Sequence, residues 1–372
     1  MGLPSLRGLL FWLLLFVSSF LGCVFMLFPF VPFVYFAPSL WRICADYFVG
    51  YWLTFPAALC ECIFGIKFEI TGDLINSSEP ALIIMNHRTR LDWLFFWNAL
   101  YRLDPWLLTT KKISLKNSLK YIPGAGWAMQ CAAYLFLQRH HRIDINAMRE
   151  MITYYKDSKR NYQILLFPEG TDRGKRAIKR SDDFAELHNL PKYQFVLHPR
   201  TTGFVSLVQF MREKNYIKNI YDVTVGYPDE IVSTEFEVLI YGRLPNSVHF
   251  NVKQYKENDL PKSDRDLAEW INAIWKEKEI RLEKFYKSDS EERKFFAFGK
   301  HNIWTKFSAD TGYYCALAFW LAISIIWIYF IIFYFTVKIY VLVSCTFFFY
   351  CERRYGGVQN WTLKLLKQKQ KQ

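Results

Sequence analysis

A histidine and an aspartate five positions apart carry the clearest chemistry in this chain, in Asn86-His87-Arg88-Thr89-Arg90-Leu91-Asp92, directly after the apolar run Ala81–Met85. An imidazole with a carboxylate on one ring nitrogen is held in one tautomer, and its other nitrogen is left to accept a proton. On a regular helix, residues five apart sit about 140° apart and do not meet. They meet if a strand ends near Met85, a turn follows and a helix begins around Arg90. The ring then lies over the first helical turn, where a carboxylate also suits the helix dipole. His87 is therefore the candidate general base and Asp92 its orienting partner.

Four further segments bring polar groups to the ends of apolar runs. In Phe167-Pro168-Glu169-Gly170-Thr171, glycine allows a tight turn and close approach of a ligand. Glu169 suits a polyol hydroxyl, Thr171 adds a hydroxyl and Arg173 a cation. Leu135-Phe136-Leu137-Gln138-Arg139 ends in a guanidinium, whose planar fork of donors matches phosphate. Lys111, Lys112 and Lys116 add positive potential after another run, with Lys112 a candidate substrate contact. His198-Pro199-Arg200-Thr201-Thr202-Gly203-Phe204 joins a strand to a helix, with Thr201 or Thr202 as cap and Arg200 as an anion contact. Together these residues describe a site that takes a proton from a hydroxyl beside a bound phosphate. No metal ligand set is expected, because His140 and His141 have no acidic or thiol partners at metal spacing.

Elements that would position these residues follow from the alternation of short apolar runs with amphipathic stretches, the pattern of an α/β domain. The runs predict strands at 67–70, 81–85, 106–110, 134–137, 162–167, 195–197, 222–226, 235–241 and 249–253. Helices are expected at 144–159 and 264–286, and a charged mobile loop at 173–183.

The chain has 372 residues, a formal net charge of +13, 52% apolar residues and 19% aromatic ones, and the apolar excess lies at its two ends. Residues 8–41 are uncharged and long enough for one membrane span, with Pro29, Pro32 and Pro38 expected to end or kink the helix near Phe28. The run 47–60, bounded by Asp46 and Glu61, is short for a span and predicts a re-entrant or interfacial helix. Residues 311–337 are long enough to cross. After Lys338 the run 339–351 follows, then a basic tail that favours the cytoplasmic side. The segmentation is a membrane anchor at 1–66, a catalytic domain at 67–308, a second membrane region at 309–351 and a basic tail at 352–372. The positive charge is read as attraction to anionic lipid headgroups rather than to nucleic acid, for which no motif is present. Eight cysteines, most in apolar segments, imply no disulfide framework.

In their order along the chain, His87 with Asp92, the 136–139 segment, 167–171 and the Pro199 segment resemble the four blocks of the glycerolipid acyltransferases, which include the 1-acylglycerol-3-phosphate acyltransferases. The longer runs at 86–97, 126–130 and 197–204 are similar to the lysocardiolipin acyltransferase branch. The resemblance implies a mixed α/β sheet flanked by helices, with membrane helices at both ends. It also implies transfer of a fatty acyl group from acyl-CoA, as co-substrate without further cofactor, to the free hydroxyl of an anionic lysophospholipid such as lysocardiolipin, lysophosphatidylinositol or lysophosphatidic acid, in phospholipid synthesis or remodelling. His87 is then the general base and Asp92 its partner; Arg139 contacts phosphate, and Glu169 with Gly170 binds glycerol. The family also implies the endoplasmic reticulum membrane, with the domain on the cytosolic side. Ala133 stands where glycine is usual and Gln138 where aspartate is frequent, departures that bear on headgroup preference. Competing readings are a CoA-independent transacylase or lipase and an inactive lipid-binding scaffold. No Gly-x-Ser-x-Gly elbow points to a covalent intermediate.

Overall fold

Continuous apolar runs, rather than alternating ones, mark strands covered on both faces, and Ala81–Met85 is buried at every position. The computed structural model describes residues 5–290, 292–295 and 310–369. Among these, seven strands form one sheet: β1 Lys67–Gly72, β2 Ala81–Met85, β3 Lys111–Lys116, β4 Leu135–Leu137, β5 Gln163–Leu166, β6 Asn219–Gly226 and β7 Ser247–Lys256. Their order is β1-β7-β6-β2-β5-β3-β4, parallel throughout except for the β6–β7 pair. Strands β2 to β6 therefore end on one edge, where ligands bind in open α/β sheets.

The helices are α1 Leu6–Gly22, α2 Pro38–Ala58, α3 Asp92–Leu103, α4 Ala125–Cys131, α5 His141–Asp157, α6 Lys175–Leu187, α7 Thr201–Glu213, α8 Glu235–Tyr241, α9 Asp264–Lys287, α10 Asp310–Phe333, α11 Phe335–Tyr355 and α12 Val358–Lys369. Side chains alternate across β2. Ala81, Ile83 and Met85 join a core shared with α1, α2 and α3, whereas Leu82 and Ile84 join one shared with α5, α7 and α9.

Several expectations change. Residues 106–110 form a helical turn at Leu107–Thr110, and the strand comes next as β3. Its two leading lysines are buried, so the apolar reading missed it. Residues 235–241 are the helix α8, capped by the Thr234 side chain and ended by Gly242 at φ 63. Residues 195–197 are an irregular segment in which the Phe195 and Val196 N–H groups donate to Glu279. Most of the charged stretch 173–183 is helical, in α6. Ala133 adopts φ 55, a conformation glycine takes without steric cost, which accounts for the glycine usual in the resembling family.

Four helical segments are long and apolar enough to cross a membrane: Leu6–Phe30, Pro38–Ile63, Thr311–Phe333 and Phe335–Tyr355. The chain is membrane-associated. At 26 residues the second is longer than the run 47–60 implied, so its length does not require a re-entrant turn. Arg42 and Asp46 do not end it because they are buried and paired at 2.8 Å. At the other end α10 and α11 are separated only by Tyr334, which is extended, and Trp327 and Tyr340 both stack on Phe25. This hairpin returns α12 to the domain, where Gln359 donates to the Tyr134 carbonyl at 3.0 Å and Lys367 pairs with Glu150 at 2.5 Å. The described part of the basic tail thus lies on the same side as the sheet. The expected boundary at 308/309 lies outside the described residues.

Candidate active site

After β2 the chain turns, and α3 begins at Asp92, two residues later than expected. Thr89 and Asp92 make the turn. The Thr89 N–H donates to Asp92 Oδ2 at 3.0 Å, and the Leu91 N–H donates to the Thr89 hydroxyl at 3.1 Å, so the two side chains tie the turn on both sides of Arg90. The carboxylate is fully buried, so its lone pairs must be met within the protein. His87 Nδ1 lies 2.9 Å from Asp92 Oδ2, the Thr89 hydroxyl 3.2 Å from Oδ1 and the Tyr227 hydroxyl 2.5 Å from Oδ1. An acceptor-only partner makes Nδ1 the protonated nitrogen and leaves the lone pair on Nε2. Phe167 stacks on the ring at 4.2 Å, and the imidazole remains partly exposed.

The turn is anchored on both sides. Asn86 bridges to β6, its amide donating to the Val225 carbonyl at 3.1 Å and accepting from the Val225 N–H at 2.9 Å. Glu169 Oε1 accepts from the His87 N–H at 3.3 Å and from the Trp275 indole at 3.2 Å. Glu169 is buried, Oε2 has no partner among the described residues, and burial pushes the carboxyl up to about 7. The structure thus sets Glu169 against the main chain of His87.

Gly170, at φ 72, brings two cations together. Its carbonyl accepts from Arg139 at 3.1 Å, and a Cβ on its other side would come within 3.1 Å of Arg200 Cδ. Arg139 is in the left-handed region at φ 64. It is held there by Asp144, which accepts from the N–H groups of Gln138 and His140 at 2.7 and 3.0 Å. The Thr171 hydroxyl bonds Asp172 at 3.3 Å. His87, Asp92, Glu169, Gly170, Thr171, Arg139 and Arg200 therefore share one edge of the sheet.

Lys112 does not, and its expected substrate contact is corrected. It pairs with Ile164, as Leu82 does, so it sits roughly 15 Å below His87 along the strands. It is buried, bonded to Asp46 at 2.6 Å and to the Ala132 carbonyl at 2.8 Å, and burial pushes its ammonium down to about 7.

Comparison with known proteins gives the family. Residues 67–228 match the family model described as Acyltransferase and residues 238–308 that described as Acyltransferase C-terminus. The chain is 40% identical to lysocardiolipin acyltransferase 1 of Mus musculus, over 95% of this chain and 94% of that one. It belongs to the glycerolipid acyltransferase family. This acyltransferase is also 46% identical to lysocardiolipin acyltransferase 1 of Gallus gallus, over 76% of its length and 74% of the relative's. It is 37% identical to lysophosphatidylinositol acyltransferase 10 of Caenorhabditis elegans, over 87% and 84%. A solved structure, the 1-acyl-sn-glycerophosphate acyltransferase PlsC of Thermotoga maritima, aligns with TM-score 0.45 and 16% identity over 76% of this chain and all of that one.

Two residues of the acyltransferase site escaped sequence reading. Trp275 lies within the long helix expected at 264–286, and nothing in its spacing marks it as a partner of Glu169. Tyr227 follows β6, and the rule that ligand-facing residues follow parallel strands would have pointed to it. Tyr227→Phe removes one donor from a buried carboxylate. It is expected to lower unfolding free energy by about 1–3 kcal/mol, read by thermal unfolding in detergent, and to slow transfer without raising the acceptor KM.

Proposed function

We propose that this acyltransferase moves a fatty acyl group from acyl-CoA to the free hydroxyl of an anionic lysophospholipid, with His87 as general base and Asp92 as its positioning residue. The observation that carries this reading is the His87–Asp92 contact of 2.9 Å beside the cations around Gly170. In the proposed step Nε2 takes the hydroxyl proton as the oxygen attacks the thioester carbonyl. The tetrahedral intermediate collapses with cleavage of the C–S bond, and the imidazolium returns the proton to the CoA thiolate. A thioester is reactive enough that no acyl-enzyme is required.

Arg90 links the rim of the site to the membrane helices. It contacts Asp172 at 3.5 Å and Glu235 at 3.3 Å, and α8 in turn supports the start of α1 through the Ser5 N–H and the Ile240 carbonyl at 3.0 Å. Such a rim suits an acceptor entering from the bilayer. The names of the relatives favour lysocardiolipin or lysophosphatidylinositol as acceptor. A cytosolic site at the endoplasmic reticulum fits a donor made in the cytosol.

The test is purified full-length protein in nanodiscs, offered labelled acyl-CoA and a panel of lysocardiolipin, lysophosphatidylinositol and lysophosphatidic acid. Labelled product with one more acyl ester than the acceptor, and one CoA thiol released per ester, is expected. Label moving from a phospholipid donor without CoA overturns the reading in favour of transacylation.

A further inference from the structure

The cations at the mouth fall into two groups around His87. Arg139 and Arg200 meet over Gly170, beyond β5. The second group is Arg88 and Arg173. Arg88 follows the base directly, and its guanidinium lies over the Tyr286 ring at 5.5 Å. The Tyr286 hydroxyl accepts the Tyr227 N–H at 3.2 Å, which places this ring beyond β6. The Arg173 main-chain N–H donates to the His87 carbonyl at 3.0 Å, tying the Arg173 backbone to the same loop.

Arg90, two residues on, shows how an arginine here is used structurally, through contacts with Asp172 and Glu235. Arg88 and Arg173 differ. Nε of each is buried without a hydrogen-bond partner among the described residues. Burial works against the charge on Arg173 and the neighbouring Arg88 adds to that, while the carboxylates of Glu279, Glu169 and Asp182 act in the opposite sense without outweighing them. Two neighbouring half-buried guanidinia, each with a buried Nε donor unspent, cost stability until an acceptor meets those donors. Planar forks of this kind match phosphate oxygens.

We propose that Arg88 and Arg173 form a second phosphate subsite, so that the bound substrates present one phosphate on each side of His87. This inference rests on the acyl-transfer reading. Two sources supply the same chemistry: the distal phosphate of an acceptor that carries two, as lysocardiolipins do, or a phosphate of CoA.

The experiment uses full-length protein in nanodiscs, as wild type and as the Arg88→Gln/Arg173→Gln double variant. Acceptors are lysophosphatidylglycerol, with one phosphate, and monolysocardiolipin, with two. A charge-assisted contact implies a KM rise of about tenfold or more. A rise larger for monolysocardiolipin than for lysophosphatidylglycerol assigns the subsite to the acceptor. A rise in the acyl-CoA KM, equal with both acceptors, assigns it to CoA. Partial recovery by Arg88→Lys/Arg173→Lys is expected in either case, since charge is kept. A fall in kcat with every KM unchanged overturns the proposal, as does an equal KM rise for the two acceptors without one for acyl-CoA.

Calorimetric binding of monolysocardiolipin, and of CoA alone, to His87→Ala protein with and without the two arginines needs no turnover. If wild type consumes no acyl-CoA yet the arginine replacements still weaken one of these bindings, the subsite stands and the acyl-transfer reading falls. If turnover is normal and neither binding changes, the subsite alone falls.

Discussion

His87→Ala is expected to lower kcat by about 10²–10⁴-fold, the usual scale for losing a positioned general base, with little change in KM. The imidazole acts on the proton only as the acceptor oxygen attacks, so its loss is felt in the transition state more than in binding. Phe167 stacks on the ring but makes no acceptor that could replace it. Asp92→Asn is expected to act on the same step by another route. An amide facing Nδ1 can donate, which favours the tautomer with Nε2 protonated and unable to accept. Residues that act as one unit are not additive, so the double variant should lose little more than His87→Ala alone. Initial rates with saturating acyl-CoA, on protein whose unfolding temperature matches wild type, are the measurement. Correctly folded His87→Ala protein transferring at the wild-type rate sinks the base assignment.

Much of this site was legible because the pair lies within one turn. Thr89 and Asp92 close the turn before α3 locally, and the apolar run of β2 fixes where the turn begins. Glu169, Gly170 and Arg139 were legible for a similar reason, each standing at the end of an apolar strand. What failed depended on partners distant in sequence. Lys111 and Lys112 are expected to lend positive potential to the site, yet Lys111 lies over the rings of Trp97 and Tyr134 and Lys112 is met by Asp46. The run 195–197 is apolar enough for a strand, but the Phe195 and Val196 N–H groups are taken by Glu279 of α9 and the run does not join the sheet. In 235–241, apolar residues at Phe236, Val238 and Ile240 alternate as in a strand, and only the Thr234 cap and the left-handed Gly242 identify a helix. The second membrane helix was shortened for the same reason as β3: a charge inside an apolar run ends it only if the charge has no partner.

Asp46 is where that last point has its largest consequence. One carboxylate, fully buried in α2, faces three cations: Arg42 at 2.8 Å, Lys112 at 2.6 Å and Arg160 at 3.0 Å, with the Tyr162 hydroxyl donating at 2.7 Å. These groups come from α2, from β3 and from the approach to β5, so the cluster fastens a membrane helix to the strand-start edge of the sheet. Removing the carboxylate leaves buried positive charges facing one another. Asp46→Ala is therefore expected to cost about 3–5 kcal/mol, the scale for stranding one side of a buried ion pair, read as a lower unfolding temperature in detergent and a smaller folded fraction by size exclusion. The pair's own desolvation cost makes the converse testable. Replacing Asp46 by Leu together with Lys112 by Met should recover part of that loss, because the double change removes a charge of each sign. The recovery is incomplete, since Arg42 and Arg160 stay behind. If Asp46→Ala unfolds at the wild-type temperature, the cluster does not hold α2 to the sheet, and the docking rests on the apolar contacts of Trp41, Ala45 and Val49 in the shared core.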